Sequence, residues 1–129
     1  MDIFIRPIEP DDAANLLELL KQLLVESTTF TLNQDVTQLS AVEESTNILT
    51  LQTTTNNIIL VAADERGNLY GLVSAAAVPH TEQVAEIGLA VLQAYQGFGL
   101  AQALMDELLN WAQEYSTVTK LMLTVQGQN

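Results

Sequence analysis

Residues Tyr95-Gln96-Gly97-Phe98-Gly99-Leu100-Ala101-Gln102-Ala103-Leu104 decide how this chain folds. Two glycines stand within one turn, and an apolar repeat follows at once. Leu100, Leu104, Leu108 and Ala112 recur every four residues, with Ala101, Met105 and Leu109 beside them. That is the period of an amphipathic helix, ending around Tyr115-Ser116. Glycine inside a helix costs about 1 kcal/mol relative to alanine, so Gly97 and Gly99 are read as preceding it. There they permit close backbone approach and unusual dihedrals. The first-turn amides of a helix lack intrahelical partners and carry the positive end of its dipole. A pyrophosphate fits such a place. A tight turn without a ligand fits the same two glycines, and their spacing does not separate the two readings.

The flanks of this stretch read as strands. Glu86 to Leu92 precedes it, with Ile87, Leu89 and Val91 on one face. Further upstream, Ile58 to Ala63 is an apolar, β-branched run, hence a buried strand. Asp64-Glu65-Arg66-Gly67-Asn68 is a hairpin turn, and Leu69 to Val78 is the partner strand. The many alanines of that partner imply close packing on one face. Pro79-His80-Thr81 makes the next turn, so three strands form an antiparallel meander. Downstream, Leu121 to Val125 is a final strand. Strand, helix and strand together predict a parallel pair.

The N-terminal part supplies the rest. Ile3-Phe4-Ile5 is a short strand, punctuated by Pro7 and Pro10. Asp11 or Asp12 can cap a helix. Leu16, Leu17, Leu20, Leu23 and Leu24 carry that helix to about Glu26 as a core-packing stripe. Residues 27 to 57 are polar, and Val36, Leu39, Val42 and Leu49 suggest one helix or two short ones. The whole, residues 1–129, reads as one α+β domain: a mixed, mostly antiparallel central sheet flanked by helices. No repeat or linker divides it.

Composition narrows the function. The chain has 129 residues, 48% of them hydrophobic, enough for one core. It has no cysteine, which excludes disulfides, thiolate metal sites and thiol nucleophiles. No metal site is expected. Sixteen acidic residues against four basic give a net charge of −12. Such a surface repels nucleic acid and attracts cationic small molecules or basic protein tails. It also simply keeps a protein soluble. The N-terminus lacks the pattern of a signal peptide, and no apolar run reaches bilayer length. The chain is therefore read as cytoplasmic, with no membrane partner.

Gln96, Gly99 and Ala101 fill the three defined positions of Gln/Arg-x-x-Gly-x-Gly/Ala, placed between a strand and a helix. This resembles the signature of the GNAT superfamily of N-acetyltransferases. Ala90-Val91 followed by Tyr95-Gln96-Gly97, and the opening Ile5-Arg6-Pro7 leading through Asp11-Asp12 into a leucine helix, are similar to the family too. So is Val125 followed four residues later by Asn129. The resemblance runs from about residue 3 to the last residue. It implies the GNAT-like acyl-CoA N-acyltransferase fold and acetyl-CoA as co-substrate. Main-chain amides from Gln96, Gly97, Phe98, Gly99, Leu100 and Ala101 would hold the pyrophosphate. Main-chain groups of Leu89 and Val91 would hold the pantetheine arm, with Asn129 near the cofactor. The family splays its fourth and fifth strands, here Glu86–Leu92 and Leu121–Val125. Small side chains from Gly71 to Ala77 would leave room nearby, and the loop Glu26 to Phe30 would border the acceptor.

The resemblance implies direct attack by a primary amine of a small molecule or protein on the thioester. Glu86 is the expected base, since family members place a glutamate on this strand. A one-residue shift in register would turn it to the other face. His80 reads as a surface histidine. Tyr95 and Trp111 read as packing residues, and Tyr115 as a core or rim residue. The family's usual acid, a tyrosine on a helix after the Asn129 position, has no counterpart here. The family also continues through a further helix and strands, so the resemblance implies a C-terminally truncated version. Leu121–Val125 would then be an exposed apolar edge, and a homodimer is expected to cover it. A non-catalytic, truncated GNAT-like module for acetyl-CoA binding or assembly is the alternative. A dinucleotide-binding domain fits poorly, because its motif needs a third glycine after the first strand of a βαβ unit.

Overall fold

The computed structural model describes residues 2–26, 40–54, 57–78, 80 and 83–123, with the side chains of Leu24 and Leu123 excepted. Strand β1 (Ile3–Pro7) leads through a 3-10 turn (Pro10–Asp12) into helix α1 (Ala13–Glu26). Helix α2 (Ala41–Gln52) follows, then strands β2 (Ile58–Asp64), β3 (Leu69–Ala77) and β4 (Val84–Val91). A second 3-10 turn (Gln93–Tyr95) precedes helix α3 (Leu100–Glu114), and β5 (Lys120–Leu123) closes the described chain. The five strands lie in sequence order in one sheet. β1 through β4 are antiparallel neighbours, and β5 runs parallel to β4.

The sheet buries both faces. α1 and α2 cover one, where Leu16, Leu19, Leu23 and Ile48 meet Val61, Ala63 and Leu72. α3 covers the other, where Leu104 and Leu108 meet Leu60, Val73, Ala85 and Ile87. Both α3 leucines are fully buried. Each such side chain stabilises the fold by about 1.5–3 kcal/mol of transfer free energy. The four-residue spacing of the leucines is therefore the inner face of α3.

The expected helix in the polar region is α2, which buries Ile48 and exposes Val42 and Leu49. Val36 and Leu39 lie outside the described residues. One expectation needs correction: the entry to α1 is not capped in the usual sense by Asp11 or Asp12. Glu9 holds the cap position, and the Asp12 carboxylate reaches back to accept from the Glu9 N–H at 2.8 Å. Of the two places expected for Tyr115, core or rim, it takes the rim and is largely exposed.

Asp12 is buried because Arg6 comes with it. The Arg6 guanidinium donates twice to the carboxylate, at 2.7 and 2.9 Å. These bonds hold the Asp12 carboxyl below the ordinary aspartate range, against the opposing effect of burial, and the Glu9 N–H adds to them. A depressed carboxyl stabilises the fold above its ordinary pKa and loses that contribution as pH falls through it. Asp12→Asn is expected to cost about 1–3 kcal/mol near neutral pH, measured by urea unfolding. The difference from the parent should shrink below about pH 4. An equal deficit at pH 3 and pH 7 would show that the ion pair contributes nothing through charge.

Candidate active site

The site is set by the pairing of β4 with β3. Gly71 stands opposite Val91, Ser74 opposite Gly88 and Ala76 opposite Glu86. At the ends of this ladder the Val78 N–H donates to the Val84 carbonyl, and the Leu92 N–H donates to the Tyr70 carbonyl. In an antiparallel pair, bonded residues alternate. The even-numbered residues of β4 thus turn their main-chain groups toward β3. Ala85, Ile87, Leu89 and Val91 turn theirs the other way, toward β5. The Gln83 carbonyl confirms the parity, accepting from Thr119 and Lys120 at the start of β5.

The β4–β5 ladder joins Val84 with Lys120 and is described as far as Ile87 with Leu123. Glu86 pairs with Met122 and Ile87 with Leu123. The strands are paired over Val84–Ile87, so the gap expected between them would lie beyond Ile87, where the facing residues are not described. Past that point Leu89 and Val91 present main-chain groups on an edge with no strand partner among the described residues. Asn129, with Thr124 to Gln128, lies outside the described residues.

The same strand end carries the glycine turn. Gly97 and Gly99 have φ of +88° and +81°, values that residues with a side chain rarely adopt. A Cβ at either position would meet nothing within 4 Å. The backbone conformation requires these glycines, while the space beside them stays open. Gly99 is the N-cap of α3, and the first intrahelical bond runs from the Ala103 N–H to its carbonyl. The N–H groups of Leu100, Ala101 and Gln102 head the helix with no acidic residue in the first turn. Phe98 is exposed. Gln96 differs from expectation. Its N–H donates to the Gln93 carbonyl at 3.3 Å, and its side-chain amide donates to the Val91 carbonyl at 3.1 Å. Gln96 ties the turn back to β4, so the outward main-chain donors begin at Gly97.

Glu86 lies on the sheet face that α1 and α2 cover. That cover is uneven. Leu72 and Ala90 are packed under the helices, whereas Ala76, Gly88 and Glu86 are exposed. Among the described residues Glu86 stands on an open patch of small side chains, which is where a substrate amine can reach a carboxylate. His80 is exposed in the turn before β4, with φ of +67°. The two best-formed depressions lie elsewhere. One is lined by Pro7, Gln52, Ile59 and Trp111, the other by Asn15, Gln22, Leu69 and Leu92. Both are open, and neither contains Glu86 or the glycine turn.

The sequence pattern of the acetyltransferase (GNAT) family matches residues 17–129. The chain belongs to the GNAT acetyltransferase family. A GNAT-family acetyltransferase from Streptococcus pneumoniae is 28% identical, with a TM-score of 0.87 over 99% of this chain and 77% of that one. The PaiA N-acetyltransferase of Thermoplasma acidophilum, solved in complex with coenzyme A, superimposes with a TM-score of 0.76 at 18% identity, covering 100% of this chain and 82% of that one. Glucosamine-6-phosphate N-acetyltransferase of Arabidopsis thaliana gives 0.74 at 17% identity, covering 100% and 86%. These last two likenesses establish the GNAT fold. No curated protein sequence matches the chain.

Two long-range supports of the turn escaped the sequence. The Glu26 carboxylate, at the end of α1, accepts from the Gln93 N–H at 2.7 Å and from Gln22 at 3.0 Å. Those two bonds, that of Gln22 first, lower the Glu26 pKa. The second support starts at Asp64 in the β2–β3 hairpin. Its carboxylate accepts from the main chain of Arg66 and Asn68, from the Asn68 amide, and from the Tyr70 hydroxyl at 2.7 Å. The register of β3 shifts at this point, so that Tyr70 is the extra residue of a bulge. The Tyr70 ring then rests on Tyr95 with centroids 4.4 Å apart. Hairpin, bulge and glycine turn are thereby joined.

The Asp64–Tyr70 bond shifts both groups. The hydroxyl is the largest cause of Asp64 falling to about 2, and the carboxylate raises Tyr70 to about 12. Asp64 stabilises the fold above an ordinary value of 3.8 and loses this as pH falls toward about 2. Tyr70 stabilises it below an ordinary value of 10.0 and loses this as pH rises toward about 12. Tyr70→Phe, which keeps the ring, is expected to be less stable than the parent at neutral pH. The gap should narrow on both limbs, above about pH 10 and below about pH 4. Urea unfolding followed by Trp111 fluorescence measures it, and a gap unchanged at either extreme would refute the coupling.

Proposed function

We propose that this chain, as a single domain over residues 1–129, is an acetyl-CoA-dependent N-acetyltransferase acting on a primary amine of a small molecule or protein. One observation carries the reading. The alternation of β4 turns the main-chain groups of Leu89 and Val91 toward the β5 side and the Glu86 side chain to the α1–α2 face, with the glycine turn at the end of the same strand. Donor and acceptor can therefore meet across one strand.

The residues fit the donor. Main-chain donors from Gly97 through Ala101 would hold its pyrophosphate. Main-chain groups of Leu89 and Val91 would bind the pantetheine arm and polarise the acyl carbonyl. Bound acetyl-CoA supplies an activated acetyl group. Glu86 receives the proton that an ammonium acceptor must lose before it can attack, directly or through one water. The chain contains no cysteine, so direct attack by the amine needs no thiol acyl-enzyme. The net charge of −12 favours a cationic acceptor over a neutral one. Asn129 is assigned to the cofactor side by family resemblance alone.

Acetyl-CoA at 100 times its dissociation constant is expected to stabilise the chain by about 2.7 kcal/mol and raise Tm by roughly 4 °C or more. Gly99→Val should remove that rise while the far-UV spectrum of the folded protein persists. With a panel of amines, free thiol release should fall about 100-fold or more in Glu86→Gln, the shift with acetyl-CoA being retained. Turnover unchanged in Glu86→Gln would exclude Glu86 as the base. Binding without turnover on any amine would favour the non-catalytic module.

A further inference from the structure

Glu86 does not stand alone among apolar neighbours. Around it on the α1–α2 face lie Leu72, Ser74 and Ala76 of β3, with Gly88 and Ala90 of β4. Of these neighbours only Ser74 carries a polar side chain. The register sets Ala76 opposite Glu86, Ser74 opposite Gly88 and Leu72 opposite Ala90. Ser74 is thus the diagonal neighbour of Glu86, one pair nearer the glycine turn. Diagonal neighbours on a sheet stand about 7–8 Å apart, so one small group set between them can touch both side chains. Ser74 is half-buried, while Ala76, Glu86 and Gly88 are exposed.

Gly88 decides which way the serine opens. On its other side Ser74 pairs with Ile59 of β2, a partly buried apolar residue. A Cβ at Gly88 would lie 3.0 Å from the Ser74 Oγ. The hydroxyl therefore leans over β4, beside the space that a side chain at position 88 would fill. Gly88 raises no wall between that hydroxyl and the β5 side of the strand, toward which Leu89 turns its main-chain groups.

Resting on the proposed acetyl transfer, we propose that the Ser74 hydroxyl belongs to the acceptor site, where its oxygen accepts a hydrogen bond from the attacking amine as the amine stands over Gly88. A primary ammonium has three N–H groups. One faces the Glu86 carboxylate and gives it a proton. A second donates to the Ser74 Oγ and fixes the nitrogen in place. The nitrogen lone pair then attacks the thioester carbon. The C–N bond forms, the C–S bond breaks, and the surplus proton on nitrogen leaves with the sulfur as a thiol. Ser74 gains and loses no proton. Its part is to bind and place the nitrogen, in the room that the missing side chain at Gly88 leaves. The bond is made before and during the attack, so its loss appears in KM rather than in kcat.

The test is steady-state kinetics of the full chain with acetyl-CoA and benzylamine, 2-phenylethylamine or spermidine, continued with whichever turns over fastest. Ser74→Ala is expected to raise KM for that amine about tenfold or more, the effect of losing a hydrogen bond to a charged group, with kcat within about threefold. The rise in Tm with acetyl-CoA should be unchanged, an outcome that general damage to the sheet would not give. Ser74→Thr keeps the oxygen and should stay within about threefold of the parent. Gly88→Ala crowds the same hydroxyl and should raise the same KM; added to Ser74→Ala, it should cost less than about twofold more. An amine KM within about twofold of the parent in Ser74→Ala, an equal loss in Ser74→Thr, or additive losses in the double variant would each overturn the inference while acetyl transfer stands. If the folded chain binds acetyl-CoA and acetylates none of the three amines, the catalytic reading fails first, and this inference fails with it.

Discussion

The antiparallel register of β4 on β3 is the constraint from which the site follows. A strand alternates twice over: its side chains alternate between faces and its main-chain groups alternate between edges. One register sets both. With Ala76 opposite Glu86 and Gly71 opposite Val91, the carboxylate lies on the open part of the α1–α2 face. The same pairing aims Leu89 and Val91 at the β5 edge. A slip of one residue would exchange the faces, burying the carboxylate under α3 and turning those amides toward β3. The pairing is also close at Gly71. A Cβ there would stand 3.1 Å from the Ala90 carbonyl and 3.1 Å from the Val91 side chain, so β4 would have to give by a few tenths of an ångström.

Position of the strand is not enough, since the glycine turn must hold its own shape. Positive φ at Gly97 and Gly99 leaves the turn few side chains with which to anchor itself. The anchoring comes from neighbours. Gln96 bonds back to Val91, Glu26 captures the N–H of Gln93, and Tyr95 rests on Tyr70. Tyr70 is in place because Asp64 holds its hydroxyl and because the bulge gives it a position outside the β2–β3 pairing. A hairpin with no part in the chemistry thus bears on the conformation of the turn.

The parts legible in the sequence were those written in local pattern. The strand order, the hairpin at Asp64–Asn68, the leucine face of α3 and the glycine turn all depend on neighbours within a few residues. The family resemblance then fixed the fold that these elements build. What was not legible depends on partners distant in sequence. Asp64 looked like a turn residue, and its tie to Tyr95 through Tyr70 needs the folded hairpin. Glu26 looked like a helix end, and its partner is Gln93. In α2 the apolar pattern is too sparse to name a face: the helix was legible, but not that Ile48 takes the buried position while Val42 and Leu49 stay exposed.

The acidic composition now has a consistent place in the proposed chemistry. A field that repels the donor would be a defect if donor recognition depended on long-range attraction. Backbone donors at a turn act over a few ångströms, without help from net charge. The same field raises the local concentration of a cationic amine near Glu86. It also stabilises that amine as an ammonium, which makes the removal of its proton harder and increases the demand on a base. Proton removal from a fully charged amine then requires transfer within the bound complex, where the amine's pKa is lowered by displaced water. Under the proposed chemistry the patch around Ala76, Gly88 and Glu86, open among the described residues, would be covered when the acceptor is bound, and an amine carried on a bulky or apolar frame would exclude water there better than a small hydrophilic one.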